Sequence, residues 1–136
     1  MSISYPDVNA IAIVIAAVAQ FALGWLWYAP MTPTGKAWLA AMGRTRETMG
    51  RPGAEMAIFP IGSLLSAWAI AMVYGWAGGD GVADGVLAAL TVAVAVVFQQ
   101  LMQGVAMGTQ SKTLAVINNA YIVVGYAVMG VIIALV

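Results

Sequence analysis

The sequence predicts an all-α fold: a four-transmembrane-helix bundle with a short interfacial helix between the first and second spans. Three observations lead there. Of 136 residues, 63% are hydrophobic and only 7% charged, against about 25% charged in a typical soluble domain. Apolar stretches run roughly over 8–28, 56–76, 86–108 and 114–136, and each approaches the ~20 residues that a hydrocarbon core of about 30 Å demands. The five cations divide between two loops only: Lys36, Arg44, Arg46 and Arg51 follow the first stretch, and Lys112 follows the third. Those loops share a side of the membrane. The opposite side carries Asp7, Asp80 and Asp84 without a cation. Lys and Arg are retained in the cytoplasm, so both termini are expected outside. The spans use most of the chain, which makes residues 1–136 a single integral membrane domain.

The elements follow in order. Pro6 and Asp7 suit the first turn of a helix, where proline needs no donor and an acid meets the positive dipole end. The first span is long enough to cross and no cation precedes it, so it is expected to stay in the mature protein rather than be cleaved as a signal peptide. Pro30 and Pro33 stop it, since each lacks an N–H and pushes its predecessor off helical geometry. Thr32-Pro33 reads as an N-cap followed by proline at the first helical position. A short helix over 33–42 then ends at Gly43 and lies in the cytoplasmic interface, with Trp38, Leu39 and Met42 on its apolar side and Lys36 on a polar flank. Residues 44–54 read as a polar link. Pro60, one turn into the second span, predicts a kink. Gly78-Gly79-Asp80-Gly81 is an outer turn rather than a phosphate loop, because no Lys or Arg lies near it. Ser111 caps the fourth span.

Aromatic residues gather at the two ends. Trp25, Trp27, Tyr28 and Trp38 belong to the cytoplasmic side, and Tyr5, Tyr74 and Trp76 to the outer side. Those are the places of aromatic belts.

Cysteine and histidine are absent. Thiolate nucleophiles, disulfides, a Ser-His-Asp triad and the usual zinc and haem sites are therefore excluded. No catalytic residue, metal or cofactor is expected, and the zero formal net charge suggests no nucleic-acid partner. Among charged residues only Glu55 touches a span, at its inner edge, and it reads as a helix-start acid. A small proton-coupled exporter would need a carboxylate at depth.

What the spans do hold is amides and hydroxyls. At about 1.5 Å per helical residue, Gln20 lies about 12 Å from Tyr28, Ser63 about 12 Å from Glu55, Gln103 about 12 Å from Ser111 and Asn118 about 10 Å from it. One polar residue from each helix thus falls at one level of the cytoplasmic leaflet, with Gln99 sharing a face with Gln103 and Asn119 beside Asn118. These residues either hydrogen-bond between helices, at about 0.6 kcal/mol and up to about 1–2 each, or line a cavity for a polar or amphipathic ligand. Small-residue stripes (Ala12, Ala16, Gln20, Gly24; Ser63, Ala67, Ala71, Gly75; Gly104, Gly108) allow close helix contacts.

The segment Gly24-Trp25-Leu26-Trp27-Tyr28-Ala29-Pro30, followed by Gly35-Lys36-Ala37-Trp38, resembles the signature of a family of small bacterial four-helix membrane proteins of unknown function. That signature reads G-x-x-W-Y-S-P, then F-G-K-x-W. Ala29 replaces its serine and Thr34 its phenylalanine. The resemblance implies a bacterial inner-membrane protein with four spans and supplies no activity. Any family site would fall on Trp27, Tyr28, Pro30, Lys36 and Trp38. Read from the residues alone, the same segment is an aromatic belt, a proline break and a lysine able to meet anionic headgroups at about 1 kcal/mol.

Three function classes remain open. The first is binding or passage of a small polar or amphipathic molecule, or lipid, at the polar layer. The second is a structural or assembly subunit without a ligand. The third is a membrane enzyme resembling the four-helix glutathione-using enzymes, on helix count and topology alone and without that family's Arg/Asn motif. Membrane lipids and a homo-oligomer of parallel protomers are the expected partners, since one small bundle offers little interior and the charge bias forbids mixed orientations.

Overall fold

The computed structural model describes residues 4–45 and 57–136. Its elements are α1 (Ala10–Trp27), α2 (Pro33–Ala41), α3 (Ile58–Trp76), α4 (Val82–Leu101), a π-helical turn (Met102–Ala106) and α5 (Lys112–Leu135). α1, α3, α4 extended by its π-helical turn, and α5 are each long and apolar enough to cross a membrane. The short α2 lies between the first two spans, as expected. Glu55, Met56, Arg46 and Arg51 lie outside the described residues, and with them the expected start of the second span and most of the basic link.

Local chemistry sets the helix ends. α1 starts later than Pro6 and Asp7 suggested. Asn9 is its N-cap, with its side chain accepting from the amides of Ile11 and Ala12 at 3.0 and 3.3 Å. An Asx side chain satisfies two orphan donors, which neither Pro6 nor Asp7 does. Thr32 caps α2 through Gly35 N–H at 3.1 Å, with Pro33 at its first position. Pro60 lies within α3, which runs without a break from Ile58 to Trp76. The third span begins at Val82 rather than 86, and the Asp84 carboxylate accepts from Asp80 N–H at 2.9 Å in its first turn. Ser111 caps α5 through Leu114 N–H at 3.2 Å.

Three helix ends close in one way. Gly43, Gly78 and Gly108 take positive φ values of 69°, 68° and 75°. The amide after each reaches back to a carbonyl in the last turn: Arg44 to Leu39, Gly79 to Tyr74 and Thr109 to Gly104, at 2.8–2.9 Å. Only glycine takes that conformation without strain. Gly104 and Gly108 therefore finish a helix.

The core is made of small residues. Ala16, Ala67, Ala89 and Ala93 are fully covered around Ile70 and Met129. α4 and α5 meet backbone to backbone, since a Cβ at Gly85 would strike the Gly130 carbonyl and one at Gly130 would strike that of Gly85. Without a hydrophobic force between helices in lipid, such close approach is what packs a bundle. The stripes Ala12–Ala16–Gln20 and Ser63–Ala67–Ala71 are buried as their spacing implied.

At the end that holds the two termini, Asn9 Nδ2 donates to the Val136 carbonyl at 3.2 Å, and Trp76 Nε1 donates to the Ser4 carbonyl at 2.6 Å. Tyr5 packs on Trp76 with ring centroids 6.0 Å apart. α2 and the α4–α5 loop occupy the other end, so the described cations Lys36, Arg44 and Lys112 gather there.

Candidate functional site

The basic end is built by a corner after α1. Pro30 turns the chain, and two threonine hydroxyls hold the turn. Thr34 Oγ1 donates to the Trp27 carbonyl at 2.6 Å, and Thr32 Oγ1 to that of Ala29 at 2.9 Å. Gly35 seats α2 directly on this corner, because a Cβ there would overlap the Ala29 carbonyl. The glycine of the Gly35-Lys36-x-Trp38 motif thus has a packing reason. Lys36 stands exposed on α2, while Leu39 is buried beneath it.

The corner carries an aromatic cluster onto α5. Trp38 packs edge-on against Tyr28 at 5.2 Å, and Tyr28 edge-on against Tyr121 at 5.5 Å. Trp27 lies 6.2 Å from Tyr121. Three of the four polar tips find a partner. Tyr28 Oη donates to Asn118 Oδ1 at 2.6 Å, Trp27 Nε1 to the Ile117 carbonyl at 3.2 Å, and Tyr121 Oη to the Gln20 carbonyl at 2.9 Å. Burial, and secondarily the neighbouring Tyr121, raises the Tyr28 phenol above the usual tyrosine range. It therefore stays a donor. Gly24 leaves room for the Tyr121 hydroxyl, and Gly125 for the Gln20 side chain.

Of the predicted polar layer, Gln20, Ser63 and Asn119 are buried and Asn118 is half-buried on Tyr28. Gln99 and Gln103 are exposed, together with Gln100. Among the described residues, no hydrogen bond joins any two of Gln20, Ser63, Gln99, Gln103, Asn118 and Asn119. Asn119 Nδ2 donates to the Ala115 carbonyl one turn back at 2.8 Å, while its Oδ1 is buried without a donor.

Asn119 also lines a cleft of about 430 Å³ between the end of α4 and the start of α5, with Leu101, Val105, Lys112, Ala115 and Val116. A smaller depression of about 290 Å³ lies at the end that holds the termini, beside Asn9, Tyr74 and Val136.

Sequence reasoning missed Tyr121 and Tyr126. Tyr126 is buried and shares a 2.8 Å hydrogen bond with Ser66. Each is a phenol set deep in an apolar span, where a hydroxyl needs a partner. That was the available signal.

These features define a small multi-pass membrane protein whose first loop and last span are joined by aromatic and amide contacts. The chain belongs to a family described as a protein of unknown function (DUF1761), which matches residues 11–134. No curated protein and no solved structure matches it.

Proposed function

We propose that the protein binds an anionic, lipid-like amphipath from the cytoplasmic leaflet in the cleft between α4 and α5. The observation that carries this reading is the cleft itself: an apolar groove formed by Leu101, Val105, Ala115 and Val116, with Lys112 at one end and the unpartnered Asn119 acceptor at the other. Seven residues of α5 separate the two polar groups, about 10 Å at 1.5 Å per residue. In this reading the basic end faces the cytoplasm of a bacterial cell, and both termini face out. The ligand's phosphate or carboxylate sits at Lys112, worth about 1 kcal/mol near an anionic surface. Its chain follows the apolar groove past Asn119. The π-helical turn widens the wall of the groove, and such turns gather at functional sites. Lys36, Trp27 and Trp38 lie on the other side of α5's start and act as the anchor of the corner.

The test is native mass spectrometry of protein released from bilayers of mixed zwitterionic and anionic phospholipid. Wild type is expected to retain anionic lipid in preference. Val116→Trp, which fills the groove from an exposed position, should abolish retention, and Lys112→Gln should remove the preference for charge. Equal retention by wild type and Val116→Trp would overturn the reading.

A further inference from the structure

The core-facing stripe of α4 continues past the core. Ala89 and Ala93 are buried and Val96 half-buried; one further turn along the same stripe come Gln99, Gln100 and Gln103, all exposed. Counting from Ala106, the inner end of that span, Gln99 lies about 10 Å inside and Gln103 about 5 Å inside, at 1.5 Å per residue. Among the described residues, every exposed carboxamide within the four spans lies on this stripe. The exposed positions of α1 and α3 are apolar, as in Val14, Val18, Phe21, Leu64 and Leu65. The other exposed hydroxyl on α4, Thr91, is already bonded to the Leu87 carbonyl at 2.7 Å. Three amides within about one helical turn therefore lack cover where hydrocarbon offers none.

We infer that this stripe is an interface with a second copy of the chain, inserted in the same orientation, with Gln99, Gln100 and Gln103 pairing across a two-fold axis along the membrane normal. Three features select that occupant. A carboxamide is both donor and acceptor, so an identical surface saturates it. In a bilayer the partner must present its polar group at the same depth, which a symmetric copy does automatically. The one-sided placement of cations admits copies of one orientation only. Leu101, on the cleft, sits two residues from Gln99 and from Gln103, about 200° around the helix, so the interface leaves the cleft open and stands independently of the lipid reading.

The chain has no cysteine, which allows a clean test in native membranes. Gln99→Cys and Gln103→Cys should give an oxidant-dependent band at twice the monomer mass, while Val94→Cys and Val14→Cys, on lipid-facing positions, should not. In nanodiscs the Q99L/Q100L/Q103L variant, helical by circular dichroism, should run as a monomer where wild type runs as a dimer. Failure of Gln99→Cys to crosslink overturns the inference. If that cysteine instead reacts with an impermeant maleimide added from the cytoplasmic side, the stripe faces water. If it reacts with neither, it faces lipid or a different protein.

Discussion

The two corners at the basic end of this bundle are built on opposite terms. Where α1 turns into α2 and meets α5, each of Trp27, Tyr28, Thr32, Thr34, Asn118 and Tyr121 has a hydrogen-bond partner. Where α4 ends, three glutamines stand uncovered on a stripe that began in the core. One end is finished within the chain. The other leaves its amides exposed. The contrast shows why counting polar residues at one depth cannot assign a site: the same amide is a structural bond on α5 and an open surface on α4.

The sharpest way to break the contrast is at two glycines. Gly35→Val drives a side chain into the Ala29 backbone, and overpacking of this kind costs about 1–3 kcal/mol or more. The thermal midpoint in detergent should fall strongly. Gly104→Ala, at the open end, meets only the flexible Gln110 side chain at 2.7 Å, and should change the midpoint little. Equal losses would mean that both ends are rigidly packed.

Next comes the aromatic cluster. Tyr28→Phe leaves Asn118 Oδ1 without its donor, and an unpaired buried acceptor costs about 1–3 kcal/mol. Denaturant titration should show that loss, and Asn118→Leu in the Tyr28→Phe background should add less than it does alone. Strict additivity would mean that the 2.6 Å bond contributes nothing.

A smaller effect is expected at the glutamines. In monomeric micelles, Gln99→Leu and Gln103→Leu should alter unfolding by less than about 0.5 kcal/mol, as exposed substitutions do. A large destabilisation would show that they pack within their own chain.

The smallest signal is the ionisation of Tyr28. Its raised folded value means that the fold favours the phenol. That contribution is fully present below the unfolded value of about 10 and is lost as pH climbs through the raised one. An alkaline titration followed by phenolate absorbance should show a late-titrating tyrosine that is lost in Tyr28→Phe.

Much of the architecture was legible because the bilayer imposes length and sidedness on the sequence. Four apolar runs, Thr32-Pro33, Gly43 and Ser111 each marked an element or its end. Val82 was missed as a start because Asp84 looked like loop, yet an acid in the first turn is favourable there. The site was less legible. Depth can be counted along a helix, but the face each residue presents depends on how far the neighbouring helices accompany it. Gln103 and Asn118 share a height and not a destination. Tyr121 went unnoticed because a belt reading looks for aromatics at helix ends, and this one works from within a span.

The wide turn at Met102–Ala106 has a further consequence for tolerance to length change. A π-helical turn holds an extra residue that an α-helix of the same rise would not. Removing one residue there would let the segment rewind as α-helix while the residues beyond it keep their register. A single-residue deletion within these five residues should therefore be far better tolerated than one in the regular turns of α4 before them, where everything after the cut would swing by about 100°.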